Sequence, residues 1–107
     1  MPFFETRSLP VAAPLPGVTR RAVWLEGVML TVFDFEPGAV VPEHAHPHEQ
    51  ITFVLEGELV FTLGTETRVI RAGDGVTIPA NVPHRAVTGP VPTRALDAWN
   101  PIREDYR

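Results

Sequence analysis

Twelve prolines and eight glycines are spread along the 107-residue chain, and no stretch between them sustains the 3.6-residue apolar period of a core helix. That spacing leaves short strands as the available element and predicts an all-β chain. From Val23 to Glu36, and again from Ile51 to Leu63, β-branched and aromatic residues alternate with others, as half-buried strands require. Pro37-Gly38 and Glu56-Gly57 interrupt these runs, and Gly64-Thr65-Glu66-Thr67 reads as a further turn. Arg68–Arg71, Val76–Pro79, Arg85–Thr88 and Arg94–Trp99 give four more short strands. Short strands at this spacing favour a sandwich or closed barrel, because closure removes edges that would otherwise aggregate.

The length allows one hydrophobic core, so one domain is expected. Leu9-Pro-Val-Ala-Ala-Pro-Leu-Pro-Gly17 is too rich in proline to donate regularly to a ladder. Residues 1–20 therefore read as an N-terminal extended arm on a sheet edge or on a neighbouring subunit, and residues 21–107 as the barrel. Phe3 and Phe4 are available to anchor that arm, which suits a homodimer. Trp24, Phe33, Phe35, Phe53 and Phe61 are assigned to packing, in the core or at the dimer interface.

A net charge of -4 without any run of Lys or Arg gives no footprint for a phosphate backbone, so nucleic acid is not an expected partner. Ordinary globular composition suggests no membrane partner either. Met1–Pro10 lacks a basic start followed by a long apolar run, so it does not read as a secretory signal, and a cytoplasmic location is expected. With no cysteine, any metal must be held by imidazole, amide or carboxylate groups.

His44-Ala-His46 reads as part of a strand, where residues two apart share a face and lie roughly 6.6 Å apart along it. Two imidazoles so placed can chelate one ion. Gln50 opens the apolar run Ile51–Leu55 that pairs back after Pro47-His48-Glu49, and its amide oxygen is a neutral ligand candidate. His84 follows Gly73-Asp-Gly-Val-Thr-Ile-Pro79-Ala-Asn-Val-Pro83, whose turn formers can swing a histidine into the same pocket. Imidazole suits one divalent transition ion, with Mn, Fe, Ni and Zn all acceptable.

These residues resemble the two motifs of the cupin superfamily. The first, G-x5-H-x-H-x3/4-E-x6-G, matches Gly38, His44, His46 and Gly57, with Gln50 where the family usually has glutamate. The second, G-x5-P-x-G-x2-H-x3-N, matches Gly73, Pro79 and His84. Asn81 stands at its second glycine, and Val87 or Thr88 at its asparagine. The resemblance implies an RmlC-like jelly-roll barrel with His44, His46, Gln50 and His84 around a metal. Three imidazoles and an amide leave the charge of the ion uncompensated, so an anionic small-molecule substrate is expected at its open positions. His48 has the parity of a ligand, but Pro47 should break the strand, which points to solvent or a supporting role.

A narrower similarity lies in His44-Ala-His-Pro-His-Glu-Gln50, Leu55-Glu-Gly-Glu58 and the tail Asp97-Ala-Trp-Asn-Pro-Ile-Arg-Glu-Asp-Tyr106. It resembles the small cupins of pectin and alginate breakdown, which ketonise 4,5-unsaturated uronates. By that resemblance Asp97 is the catalytic proton carrier, and Arg103 and Trp99 serve the substrate, with Trp99 in place of the usual phenylalanine. The residues themselves leave two points open. Asp97 shares a face with Ala95 and Trp99, while Leu96 and Ala98 offer an equally good inward face. Arg103 can clamp a carboxylate or pair with the adjacent Glu104 and Asp105. Three functions follow: a metal-dependent isomerase or tautomerase of a small carboxylated sugar, an Fe(II)- or other metal-dependent dioxygenase, and a cupin that binds a small molecule without turnover.

Overall fold

The computed structural model describes residues 2–107 and contains ten strands. In chain order these are β1 (Ala12–Leu15), β2 (Val18–Trp24), β3 (Met29–Phe35), β4 (Val40–His44) and β5 (Glu49–Glu56). They continue as β6 (Glu58–Leu63), β7 (Glu66–Arg71), β8 (Gly75–Ile78), β9 (His84–Thr88) and β10 (Thr93–Asn100). Single 3-10 turns at Thr6–Ser8 and Glu104–Tyr106 are the helical pieces among the described residues, and none is long and apolar enough to cross a membrane. The strands form a six-stranded sheet in the order β1-β2-β3-β10-β5-β8 and a four-stranded sheet in the order β4-β9-β6-β7, with every described pairing antiparallel. This is the jelly-roll barrel expected of an all-β chain.

The core lies between the two sheets. Val18, Phe33, Phe35, Val54 and Ala95 from the larger sheet meet Leu59, Phe61, Ile70 and Ala86 from the smaller. Burying a phenylalanine of this kind contributes about 1.5–3 kcal/mol, so the three core phenylalanines weigh heavily in so small a domain. Strand β10 is central, pairing with β3 on one side and β5 on the other. Its inward residues are Thr93, Ala95, Asp97 and Trp99. Leu96 and Ala98 are half-buried on the opposite face, which resolves the open choice of face in favour of an inward Asp97.

Three expectations need correction. The run from Val23 to Glu36 is two strands, because Leu25–Val28 forms a turn closed by a hydrogen bond from the Leu25 amide to the Val28 carbonyl at 2.9 Å. The division at residue 20 falls inside β2, and residues 12–15 and 18–20 are paired at the edge of the larger sheet. Pro14 is tolerated because β1 is an edge strand with one side unpaired. Strand β5 does not pair back on β4; residues 45–48 cross from the smaller sheet to the larger, and His46 sits on that crossing rather than on a strand. Trp24 and Phe53 are 44% and 43% exposed in the single chain, so of the two placements expected for them, core or dimer interface, the core is excluded.

Candidate metal centre

The crossing between the sheets assembles the site. His44 ends β4 and His84 begins β9, and the two are cross-strand partners on the edge of the smaller sheet. His46 follows on the crossing, and Gln50 enters from β5 in the larger sheet. The turn before His84 is tied to this crossing by a hydrogen bond from the Asn81 amide to the His46 carbonyl at 2.7 Å. Asn81 has φ 66°, a left-handed conformation that asparagine tolerates better than most residues, so it can stand where the motif has glycine.

One potential ligand nitrogen from each of His44, His46 and His84 lies within 4.8 Å of the other two. Their orientation is uniform. Each Nδ1 faces a main-chain carbonyl: Pro42 at 2.9 Å for His44, His48 at 3.0 Å for His46, and Val82 at 2.9 Å for His84. A carbonyl only accepts, so each neutral ring carries its proton on Nδ1 and keeps the lone pair on Nε2. His84 Nε2 is buried with no hydrogen-bond partner, and His46 Nε2 lies 3.0 Å from Gln50 Oε1, another acceptor. Two acceptors cannot hydrogen-bond to each other, yet roughly 3 Å is the separation of adjacent ligands about 2.1 Å from one ion. The donor set therefore fits a divalent metal ion, with each imidazole oriented by a carbonyl behind it.

The electrostatics agree. Burial lowers the His84 pKa to about 4, with the His44, His46 and Arg103 charges adding to the effect against the hydrogen bond to Val82. His46 is also lowered, first by burial and then by Arg103, although the Gln50 amide oxygen and the His48 carbonyl both favour a protonated ring. Both rings are thus neutral at physiological pH, the form that binds metal.

The chain belongs to the cupin family. The cupin-domain model matches residues 31–99, which hold all three histidines and Gln50. Two solved cupin structures superpose over nearly the whole chain. An RmlC-like cupin from Shewanella frigidimarina NCIMB 400 gives a TM-score of 0.93 at 29% identity, covering 100% of this chain and 96% of that one. KdgF from Halomonas sp. gives 0.92 at 29% identity, covering 98% and 97%. Among curated relatives, the polyketide synthase CurC of Streptomyces cyaneus is 42% identical over 50 residues, 46% of this cupin and 32% of that protein. The chain spans about a third of the length of the curated relatives it matches.

Beside His44 and His84 the barrel holds a partly open cavity of about 320 Å³. His44, Gln50, Thr52, His84, Asp97 and Trp99 form its polar end, and Phe33, Phe35, Leu59 and Phe61 line the rest. Asp97 is 6% exposed, and its Oδ1 has no partner. Burial raises its pKa from 3.8 to about 7, against the opposing pull of hydrogen bonding from Thr52 and Gln50. Trp99 is fixed by a 2.9 Å hydrogen bond from its Nε1 to Thr31 Oγ1, and its edge faces His46 with ring centres 5.2 Å apart.

Arg103 makes the pairing with Asp105 and keeps one nitrogen free. Its Nε and Nη2 donate to Asp105 at 3.1 and 2.8 Å, while Nη1 is buried and unpartnered. Its guanidinium lies 4.2 Å from the centre of the Tyr106 ring and 5.1 Å from that of Trp99. His48 is half-buried, supports His46 through its carbonyl, and leaves its own Nδ1 without a partner. The sequence reading did not single out Thr31, Thr52 or Tyr106. Thr31 and Thr52 are the direct cross-strand neighbours of Asp97, a relation set by register between distant segments. Tyr106 lines the cavity from the C-terminal turn, with the Arg20 guanidinium 3.8 Å from its ring centre.

Proposed function

We propose that this cupin is a metal-dependent isomerase or tautomerase of a small carboxylated sugar, with a 4,5-unsaturated uronate as the substrate class. The observation that carries the reading is Asp97: a buried carboxyl with one unpartnered oxygen and a pKa raised to about 7, in the same cavity as His44 and His84. A carboxyl of that pKa exchanges a proton readily at neutral pH. Ketonisation of the cyclic enol ether adds a proton to C4, breaks the ring bond between C1 and O5 and takes a proton from the anomeric hydroxyl, so that C5 becomes a ketone and C1 an aldehyde with the composition unchanged. Asp97 can protonate C4 and recover a proton from the anomeric hydroxyl as the ring opens, which closes the cycle without a second acid or base. A divalent ion held by His44, His46, His84 and Gln50 would supply Lewis-acid polarisation of the substrate oxygen. Arg103 Nη1 offers a donor for the substrate carboxylate, while Trp99 and Tyr106 keep the guanidinium in place.

The resemblance of the tail from Asp97 to Tyr106 to the uronate-ketonising cupins supports the substrate class. The test is the decay of the enol-ether absorbance of a 4,5-unsaturated uronate, under nitrogen, with protein loaded with Mn(II), Ni(II) or Zn(II). Accelerated decay that the His84→Ala and Asp97→Asn variants lack is the expected result. No acceleration with fully loaded protein overturns the uronate reading, and turnover that consumes dioxygen replaces it with an oxidation.

A further inference from the structure

We infer that Thr52 is a positioning residue for the metal centre, setting which end of the Gln50 amide faces the histidines. This rests on the proposal that the histidine group holds a metal, but not on the identity of the substrate. Of the four candidate ligands, Gln50 carries at its tip both an oxygen that coordinates and an NH2 group that does not. Its side chain is 7% exposed, so it has no solvent to choose for it. What fixes it is a hydrogen bond from Gln50 Nε2 to Thr52 Oγ1 at 2.9 Å, which leaves Oε1 3.0 Å from His46 Nε2.

Taken alone, those two groups would prefer the opposite orientation. With Nδ1 of His46 donating to the His48 carbonyl, its Nε2 is a lone pair that an amide N–H would satisfy and an amide oxygen does not. Thr52 opposes that turn. Its residue sits directly across from Asp97 on β10 and alongside Ile51, on a strand whose inward positions are Gln50, Thr52 and Val54. Thr52 faces Asp97 across the strand pair, hydrogen bonding from Thr52 and Gln50 opposes the rise in the Asp97 pKa, and the Thr52 oxygen accepts from Gln50 Nε2. With its NH2 group held by Thr52, the amide is left with its oxygen facing His46 Nε2. The residue before it on the same face does the binding, and Thr52 does the aiming. It also gives a physical reason for glutamine in place of glutamate. A carboxylate at position 50 has no N–H to give Thr52 and would put a second acid beside Asp97, whereas the amide bridges the two.

The experiment is titration of metal-free protein with Ni(II), followed by calorimetry, for the wild type, Thr52→Val, Thr52→Ser and Gln50→Glu, and for Thr52→Val combined with Gln50→Glu. Thr52→Val preserves shape but removes the hydroxyl, and is expected to weaken Ni(II) binding about 10- to 100-fold, the usual range for loss of a group that orients a ligand. Thr52→Ser is expected to restore it to within about threefold. A carboxylate presents oxygen at both ends, so the Thr52→Val change should weaken binding little in the Gln50→Glu background; that non-additivity is the signature of orientation. Thermal midpoints of the metal-free proteins identify any variant that is merely unfolded. Wild-type affinity in Thr52→Val, equal weakness in Thr52→Ser, or an equal loss in both backgrounds overturns the positioning role while leaving the metal site intact. Failure of the wild type to bind Ni(II) overturns the metal reading itself, and this inference with it.

Discussion

Replacing Asp97 with asparagine keeps the shape of a buried side chain and removes its titration, so it isolates the most perturbed acid in the protein. Burial raises the folded-state pKa of Asp97 to about 7 from an unfolded value of 3.8. Between those values the unfolded chain has released the proton and the folded chain has kept it, so unfolding releases a proton and is favoured as pH rises. The stabilising contribution is therefore fully present below 3.8 and is lost as pH climbs through 7. Integrated from about pH 4.5 to about pH 8, the wild type should lose about 3 kcal/mol relative to the Asp97→Asn variant. His84 has the opposite dependence: lowered to about 4, it costs stability as pH falls below 6.5. It is common to both proteins and cancels in their difference. The assay is urea unfolding of both proteins in a chelating buffer at the two pH values. Parallel free energies, or a difference that moves toward the wild type at high pH, would refute the assignment of a buried, protonated Asp97.

Three further outcomes follow from packing. Gly57 has φ 78°, and a Cβ added there would run into Thr93 Oγ1 and the Pro92 carbonyl, so Gly57→Ala should destabilise by more than about 2 kcal/mol in a thermal melt. Trp99→Phe removes the hydrogen bond to Thr31, leaves that fully buried hydroxyl short of a donor and opens space beside Met29 and Ile102. The combined loss of about 2–3 kcal/mol corresponds to a fall of about 10 °C or more in the melting temperature. We also propose that a second copy of the chain covers the outer face of the larger sheet, where Ile51, Phe53 and Leu55 are 55%, 43% and 41% exposed. On the same face Asp34 pairs with both Arg21 and Arg94. Light scattering should give the mass of two chains, reduced to one by Phe53→Asp; a monomeric wild type contradicts this.

The barrel was legible because its punctuation is local. Prolines and glycines mark where strands stop, and the spaced histidine motifs name three residues that the fold brings within one ion's reach. The turn at Leu25–Val28 was hidden because two of its four residues are apolar, which disguised a break between strands as continuous alternation. Asp97 was ambiguous for a related reason: β10 lies in the middle of its sheet, and its outward face carries Leu96 and Ala98, so hydrophobic alternation did not distinguish inside from outside. Thr31 and Thr52 carry no motif at all. Their importance comes from being opposite Asp97, through pairings that join segments 66 and 45 residues apart in sequence, by the differences 97 − 31 and 97 − 52. Tyr106 reaches the cavity through a tail turn whose course depends on stacking with Arg20 and Arg103 rather than on local spacing.

The most direct measurement is the metal content of the protein after chelator stripping, reloading with Ni(II) and exhaustive dialysis, read by elemental analysis alongside His46→Ala and His84→Ala. One ion retained per wild-type chain, and none in either folded variant, is the expected result for lone pairs converging from His44, His46 and His84. Metal-free wild type after reloading, or variants that retain the ion as the wild type does, would contradict a three-histidine centre.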